Sequence, residues 1–589
     1  MNWTQVIDPL QNMVWSGLVA SLPIFFIFWA LIIKKMKGYM ASLLTVILAI
    51  LIAIVVYGMP VKLALLSATH GAMYGLFPIC WIIITAVFLY NITVKSGQFE
   101  IIKNFMASIT SDRRIQALII AFSFGSFLEG TAGMGTPVAI TAAMLVGLGF
   151  NPLYAAGICL IANTAPVAFG GIGIPITVAS QVSGIPEMAI SQMIGRTLPL
   201  LSLLVPFYLV VLISGWRKSW EVMPAILVTG VSFAFFQWFT ANYLSPMLPD
   251  IIAGLASIVC LLVLLKFWKP KNVWRFQEEP PQTIETNTSY TKGQILKAWS
   301  PFILLTVIIV AWGLQPVKDV LNTLGTVKLN IPGLHHVILS GDTGNSLIGQ
   351  TFKFNYLSAS GTAILISSLI AIAILGMSVK DALKLFFETL KQLKFTMITI
   401  ASVLGFAYVT NNSGMSNSMA MALTNTGWMY PFFAPVLGWL GVFLTGSDTS
   451  SNALFGKLQS VTANSLGIDP VLTVAANATG GVTGKMISPQ SIAVGAASVG
   501  LVGKESELFR FTFKHSFIML LLICLITLLQ AYVFNWMIPS YQLLDNHLVT
   551  LQSDLSKGVL YLLILAGLLL AISVIVTLLN KKRHSENKN

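Results

Sequence analysis

Apolar runs about as long as a bilayer is thick recur along this chain, and they constrain its fold more than any other feature. Residues 17–33 and 559–579 are two of them. A helix of about 20 residues crosses a hydrocarbon core of about 30 Å. A soluble domain could bury one such run, but a long series of them requires lipid. We therefore expect an all-α polytopic membrane protein with about 13 full spans.

Composition and charge agree with that class and exclude others. Of 589 residues, 56% are hydrophobic and 9% are charged, against about 25% charged in globular domains. The net charge of +13 lies mostly in short segments between apolar runs, so it indicates membrane orientation and no nucleic-acid partner. Four cysteines stand singly in apolar stretches, so we expect neither a metal site nor a cofactor. Enzyme signatures such as HExxH, GxSxG and the P-loop are absent from the spans, which argues against a membrane enzyme.

The basic segments also predict how the chain is oriented. Lysines 34, 35 and 37 follow the first span, and basic loops face the cytoplasm, so the N-terminus is expected outside. Basic segments at 95–114, 380–394, 504–514 and 581–583 fit the same topology and place the C-terminus inside. Residues 314–355 would then form the largest outside loop. We expect a multi-pass protein of the cytoplasmic membrane with this orientation.

A weak internal repeat divides the chain into two halves. Residues 59–62 match 377–380, residues 125–130 match 441–446, and residues 163–175 match 477–489. Equivalent loops carry opposite basic loads, which predicts an inverted repeat and two interconvertible conformations. The predicted units are a first half at 1–240, a linking span and cytoplasmic linker at 241–298, a second half at 299–539, and an extra C-terminal span with a basic tail at 540–589.

Polar segments at membrane depth predict where the site lies, because irregular backbone survives there only when it is buried or lines a cavity. Residues 128–140 and 444–455 are interpreted as tips of two re-entrant hairpins. Residues 163–175 and 477–489 are interpreted as helices broken near mid-bilayer. Broken helices expose N–H and carbonyl groups that suit an anion together with a cation or proton carrier.

Hydroxyl, amide and small residues around these segments are the candidates for substrate binding. A close-packing role for small residues is the competing explanation for any single hydroxyl, but less so for the SDTSSN cluster as a whole. The candidates are Asn163, Thr164, Ser447, Thr449, Ser450, Ser451, Asn452, Asn477, Thr479, Gly480, Gly481, Lys485, Ser488 and Gln490.

Three ionisable residues stand inside apolar or broken segments, where a charge is costly and normally has a functional or pairing reason. They are Glu129, Asp448 and Lys485. Glu129 has no cation nearby in sequence and is the first candidate for proton coupling, with Asp448 as the second. The competing explanation is an Asp448–Lys485 ion pair that fixes the fold. His70, near the expected outer surface, is interpreted as a packing residue.

At these residues the chain resembles the L-lactate permease family of bacterial proton-coupled symporters. The matching strings are FLEGTAGMGTPVAITAAMLVGLGFNPLYAAGICLIANTAPVAFGGIGIPI, GWLGVFLTGSDTSSNALF and AANATGGVTGKMISPQSIAVGAASVGLVGKESELFRFTFKHS. The resemblance implies transport of L-lactate, with D-lactate and glycolate as related monocarboxylate substrates, coupled to protons. It also implies kinship with elevator-type carriers of the ion-transporter superfamily, which suggests a homodimer. A sodium-coupled carrier of a small organic anion, and a passive channel or sensor, remain open as alternatives.

Overall fold

The computed structural model describes residues 2–34, 36–133, 135–276, 290–341 and 347–542, and within them the chain is predominantly helical. Ten of the described helices are long and apolar enough to cross a membrane, or eleven if the bent pair Pro152–Ala162 and Val167–Ser183 forms one span. The expected number of about 13 spans is therefore not confirmed. The predicted last span and basic tail lie outside the described residues, as does much of the predicted linker.

The helices are numbered in chain order. Up to residue 276 they are α1 (Met13–Phe28), α2 (Gly38–Val55), α3 (Val61–Tyr74), α4 (Trp81–Lys95), α5 (Gln98–Ser108), α6 (Arg113–Ala117), α7 (Gly125–Thr131), α8 (Thr136–Gly147), α9 (Pro152–Ala162), α10 (Gly170–Ser183), α11 (Glu187–Ser214), α12 (Trp216–Ser219), α13 (Met223–Tyr243) and α14 (Pro249–Phe267). From residue 290 they are α15 (Lys292–Gly313), α16 (Gln315–Gly325), α17 (Ser360–Leu375), α18 (Val379–Ser413), α19 (Met415–Leu423), α20 (Tyr430–Thr445), α21 (Asp448–Ser465), α22 (Pro470–Lys485), α23 (Pro489–Ser498) and α24 (Glu505–Tyr532).

Short irregular helices extend or join several of these. π-Helical turns occur at Trp29–Ile33, Gly75–Cys80 and Leu118–Phe124, and 3-10 turns at Val167–Phe169, Trp220–Val222, Thr424–Met429 and Asn535–Met537. The π-helical turn Leu118–Phe124 makes α6 and α7 one continuous helical stretch. Helices dominate because a backbone in lipid must satisfy its own hydrogen bonds.

Four short strands make the all-α expectation wrong in detail. Strand β1 (Trp3–Thr4) pairs in parallel with β3 (Ile338–Leu339), and β2 (Val327–Asn330) pairs antiparallel with β4 (Thr351–Phe354). Most of this structure lies in the segment that was expected to be the largest outside loop. Strand ladders there satisfy backbone groups that no helix accounts for.

His70 packs close to this small sheet. It is buried, and its Nδ1 forms a 2.9 Å hydrogen bond with Oε1 of Gln350, just before β4. Gln350 in turn donates to Asn412 Oδ1 at 2.9 Å. The contacts agree with the packing role that the sequence predicted for His70.

Helix boundaries recur along the chain at a constant spacing. Val61 and Val379 begin α3 and α18, Pro152 and Pro470 begin α9 and α22, and Glu187 and Glu505 begin α11 and α24, each pair 318 positions apart. The first pair opens helical stretches of 35 residues each, and the last pair opens helices of 28 residues each. Three helix starts in the first part of the chain therefore recur in the second part at one spacing.

The two halves pack against each other along much of their length. Helix α18 contacts α2 and α3, α17 contacts α4, α10 contacts α21, and α11 contacts α22. Elements from both halves therefore meet in the interior, where the candidate site forms.

Candidate functional site

The first predicted hairpin tip is a turn between two helices. Helix α7 ends at Thr131 and α8 begins at Thr136, with Gly133 and Gly135 at φ values of 59° and 81°. Glycine adopts positive φ without a Cβ clash, which explains the glycines in this turn. Helix α8 has 12 residues, or about 18 Å, which is too short to cross a hydrocarbon core of about 30 Å. This geometry is that of a hairpin tip.

The second predicted tip is also a helix–turn–helix. Helix α20 ends at Thr445, Gly446 takes a φ of 71°, and Ser447 caps α21 by accepting a hydrogen bond from Ser450 N at 3.3 Å. The cap puts Asp448 in the first turn of α21. A carboxylate is favoured at that end of a helix.

The first predicted helix break is present. Helix α9 ends at Ala162, and the helical segments on either side of residues 163–166 are bent by 65°. Gly171, Ile172 and Gly173 then have φ values of 54°, 61° and 70°. Positive φ is a true outlier for a β-branched residue such as Ile172 and costs about 1–3 kcal/mol. The surrounding packing must hold this segment in place.

The second predicted break is also present, near the end of the predicted segment 477–489. Helix α22 runs intact through Asn477 as far as Lys485, and the break comes at residues 486–488 before α23 begins at Pro489. The break therefore lies within the predicted segment, while Asn477 itself keeps a helical backbone and its amide reaches α21. Pro489 lacks an N–H and suits the first position of a new helix, so it ends α22 and starts α23.

A buried ion pair joins the first hairpin to the second break. Lys485 Nζ lies 2.6 Å from Glu129 Oε1, although the residues are 356 positions apart. Asn163 Nδ2 donates to Glu129 Oε2 at 3.1 Å. Glu129 is 2% exposed and Lys485 is 8% exposed. The alternative Asp448–Lys485 ion pair is therefore wrong for this conformation, and Glu129 does have a cationic partner.

The backbone of the first helix break packs directly against the Glu129–Lys485 pair. A Cβ added to Gly170 would lie 2.6 Å from Glu129 Oε1, and one added to Gly133 would lie 3.2 Å from Gly171 N. The carboxylate, the hairpin tip and the break are thus in mutual contact. Larger residues at these positions would separate them.

Asp448 borders the same pair without bonding to it. It is 3% exposed, and both carboxylate oxygens are without a hydrogen-bond partner among the described residues. A Cβ on Gly481, one turn before Lys485, would lie 2.3 Å from Asp448 Oδ1. The charges that act on Asp448 are those of Lys485 and Glu129. It therefore belongs to the same electrostatic site.

Three predicted substrate ligands are bonded to one another. Asn477 Nδ2 donates to Asn452 Oδ1 at 2.9 Å and to Ser451 Oγ at 3.3 Å. Asn452 Nδ2 donates across to Pro175 O at 3.1 Å, and Gln459 Nε2 donates to Asn477 Oδ1 at 3.2 Å. In this conformation the network connects α21 and α22 with α10, which favours a packing role for these amides.

Some of the remaining predicted ligands form local hydrogen bonds or helix contacts, and others lie in a more accessible position. Thr164 and Thr479 donate to carbonyls of Ile161 and Ala476 nearby in sequence, and Ser488 caps α23 through Ser491 N. Gly480 brings α22 against α20, since its Cβ would lie 2.0 Å from Pro435 O. Ser447 and Thr449 are half-buried, Ser450 is buried, and Gln490 is exposed. The second tip and the start of α23 therefore form the more accessible side of the region.

Asp250 is a neighbour that the sequence pattern did not reveal. It lies in the first turn of α14, is 1% exposed, and is influenced by the charges of Glu129 and Lys485. Its position after Leu248 and Pro249 is typical of a loop end, so its sequence context gave no reason to place it in the interior. The available signal was a lone acidic residue at the edge of an apolar run.

Comparison with known proteins identifies the family of this chain. A family model described as L-lactate permease matches residues 16–534. The L-lactate permease of Bacillus subtilis (strain 168) is 57% identical, covering 92% of this chain and 100% of the relative. The glycolate permease GlcA of Escherichia coli (strain K12) is 52% identical, covering 92% and 100%.

The L-lactate permease of Escherichia coli (strain K12) is 51% identical, covering 91% of this chain and 100% of the relative. These relatives are permeases, and none is named as an enzyme. The chain therefore belongs to the L-lactate permease family and is a transporter.

Proposed function

We propose that this protein carries L-lactate, and also D-lactate and glycolate, across the bacterial cytoplasmic membrane by symport with protons. The names of its relatives support lactate and glycolate as substrates. The single observation that carries the mechanism is the buried Glu129–Lys485 pair between a hairpin tip and two helix breaks.

The chemistry of the pair suits a small monocarboxylate and one proton. An anion entering the site needs a cation, and Lys485 supplies it. Once Lys485 turns to the substrate carboxylate, Glu129 loses its counter-charge, and an uncompensated buried carboxylate is costly. Protonation of Glu129 removes that cost. One anion and one proton then cross together without a change in the net charge of the site.

Specificity for a hydroxy acid would come from neutral donors beside the ion pair. Asn163 already donates to Glu129, and the backbone of Gly170 lies against the same carboxylate. When Glu129 is protonated, the Asn163 amide becomes available to the substrate. Buried polar groups left unpaired by a ligand without the hydroxyl would discriminate against it.

Transport requires the buried site to open to each side in turn. The recurring helix boundaries support an inverted repeat of halves 1–240 and 299–539, joined by 241–298. In this proposal the hairpins and broken helices move as an elevator against the remaining spans, in a homodimer, with the N-terminus outside and the C-terminal unit 540–589 ending inside. The half-buried second tip supports that tip as a gate.

Glu129→Gln tests the proposed coupling. In proteoliposomes with an imposed pH gradient, the variant is expected to lose accumulation of labelled L-lactate and to keep some exchange, because glutamine cannot carry the proton. The matched control is Glu100→Gln, which removes a surface carboxylate paired with Lys103 at 2.7 Å and should transport normally. Unchanged accumulation by the Glu129 variant would exclude Glu129 as the carrier and leave Asp448 as the candidate.

A sodium-coupled mechanism is the second candidate. The observation that favours it is Asp448, whose buried carboxylate oxygens form no hydrogen bond among the described residues and which precedes three hydroxyl residues in the first turns of α21. Oxygen ligands of this kind suit a hard cation. Counterflow measured with and without sodium at a fixed pH separates the mechanisms: dependence on sodium supports this one, and independence supports the proton.

A further inference from the structure

Three acidic side chains lie near one lysine in the interior of this protein, and one of them, Glu129, pairs with it. Glu129, Asp250 and Asp448 are each at most 3% exposed, and Lys485 is the cation beside them. If all four groups were ionised, two negative charges would be uncompensated in a medium of low dielectric constant. Such charges are normally neutralised by a proton or a bound cation. The site therefore holds more proton-binding capacity than the Glu129–Lys485 pair uses.

Asp250 lies against the residue that follows Glu129 in the chain. Helix α14 packs on α7, and a Cβ added to Gly130, the residue after Glu129, would lie 2.8 Å from the Cβ of Asp250. This approach requires glycine at position 130. Both oxygens of Asp250 are buried without a hydrogen-bond partner among the described residues. The carboxyl is thus held against the helix that carries Glu129, with the Gln237 amide as a polar neighbour.

The groups around Asp250 favour proton exchange with Glu129. The charges acting on it are those of Glu129 on α7 and Lys485 on α22. From α13 the neighbour is the neutral Gln237, which donates to Ala165 O at 2.9 Å and accepts from Ser202 Oγ at 2.7 Å. Glu129 is therefore the carboxylate whose charge acts on Asp250.

Asp250 is buried, but it follows an exposed turn by only a few residues. It follows the turn between α13 and α14, where Tyr243 and Leu244 are exposed and Pro246 and Met247 are half-buried. Arg217 and Lys218 precede α13, and basic loops face the cytoplasm, so the turn at the other end of α13 is expected on the outer side. A carboxyl at the start of α14 thus lies between the outer turn and Glu129.

We infer that Asp250 is a proton relay that passes a proton from the outer side to Glu129, an inference that rests on the proposed proton symport. As Lys485 turns to the substrate carboxylate, the Asp250 side chain rotates to within hydrogen-bonding distance of Glu129, its O–H proton moves to a Glu129 oxygen, and Asp250 is then reprotonated from the outer turn. No group is consumed. Asp250 acts through Glu129 and does not touch the substrate.

Asp250→Asn tests the relay in proteoliposomes. Uptake of labelled L-lactate driven by an acid exterior should fall by about 100-fold, the lower end of what a positioned proton-transfer group contributes. Counterflow, which needs no net proton movement, should stay within about twofold of the unmodified protein. The pH of half-maximal uptake should shift to more acidic values, because Glu129 must then be protonated directly.

Two further variants keep the test decisive. Asp381→Asn is the matched control, since Asp381 is also in the first turn of a helix but is exposed, and it should leave uptake and counterflow unchanged. Asp250→Glu keeps a carboxyl and should retain net uptake, which decides the matter if the asparagine variant does not fold. Equal loss of uptake and counterflow in a folded Asp250 variant, or no loss of either, would overturn the relay. If the unmodified protein transports no lactate in either assay, the proposed function fails instead.

Discussion

At the scale of single residues, the Glu129–Lys485 pair affects both the stability of the fold and the proposed transport mechanism. Removing two charges from water costs several kcal/mol each, and their attraction together with the Asn163 hydrogen bond offsets that cost. Such a pair adds little net stability compared with an apolar pair, but breaking it leaves an uncompensated charge. That property suits a carrier, because the site tolerates loss of the pair only when substrate and proton replace it.

Lys485→Met should therefore destabilise the protein by about 3–5 kcal/mol, because Glu129 is left buried and unpaired. The double variant Lys485→Met with Glu129→Gln should recover part of this loss. Thermal unfolding in detergent measures both. The control Lys103→Met removes a partly exposed partner of Glu100 and should cost at most about 1 kcal/mol. A double variant no more stable than the Lys485 variant would contradict the pairing as the cause.

At the scale of elements, glycines determine how closely the helices of the site approach. Helix α22 lies against α20 with backbone in direct contact, since Cβ atoms on Gly438, Gly480 and Gly484 would each meet backbone atoms of the other helix within 2.4 Å. Small residues at helix interfaces allow such contact in membrane proteins. The second hairpin and the helix that ends at Lys485 therefore form one packed unit.

Gly438→Ala should loosen this unit. Its Cβ would lie 1.8 Å from Asn477 O, and overpacking of this kind costs about 1–3 kcal/mol. Gly38→Ala is the matched control, because nothing lies within 4 Å of its Cβ. We expect the unfolding temperature in detergent to fall for the first variant and to stay constant or rise slightly for the second. Equal behaviour of the two would argue against close packing of α20 on α22.

At the scale of the whole molecule, the halves are interleaved, so the site depends on both. Glu129 and Asn163 come from the first half and Lys485 from the second. Helices α11 and α24, whose first residues are 318 positions apart, both contact α22, which carries Lys485. An inverted arrangement of the halves would let the same contacts be remade on the opposite face.

Cysteine labelling tests the orientation of the whole chain. Val327 on β2 and Lys384 on α18 are both exposed, and they are predicted on opposite sides of the membrane. In a background without native cysteines, Val327→Cys should react with an impermeant maleimide in intact cells. Lys384→Cys should react only after permeabilisation. The reverse pattern would invert the proposed topology.

The sequence by itself determined the features that depend on local chemistry. Apolar runs specified a helical membrane protein, glycines and prolines located both hairpin tips and the break after Ala162, and the motif strings indicated the family. The tertiary structure decided the rest. The partner of Glu129 and the burial of Asp250 depend on helices from distant parts of the chain. Hydropathy and turn preferences act between neighbours in sequence, whereas the pairing of a buried charge depends on distance through space, which folding alone establishes.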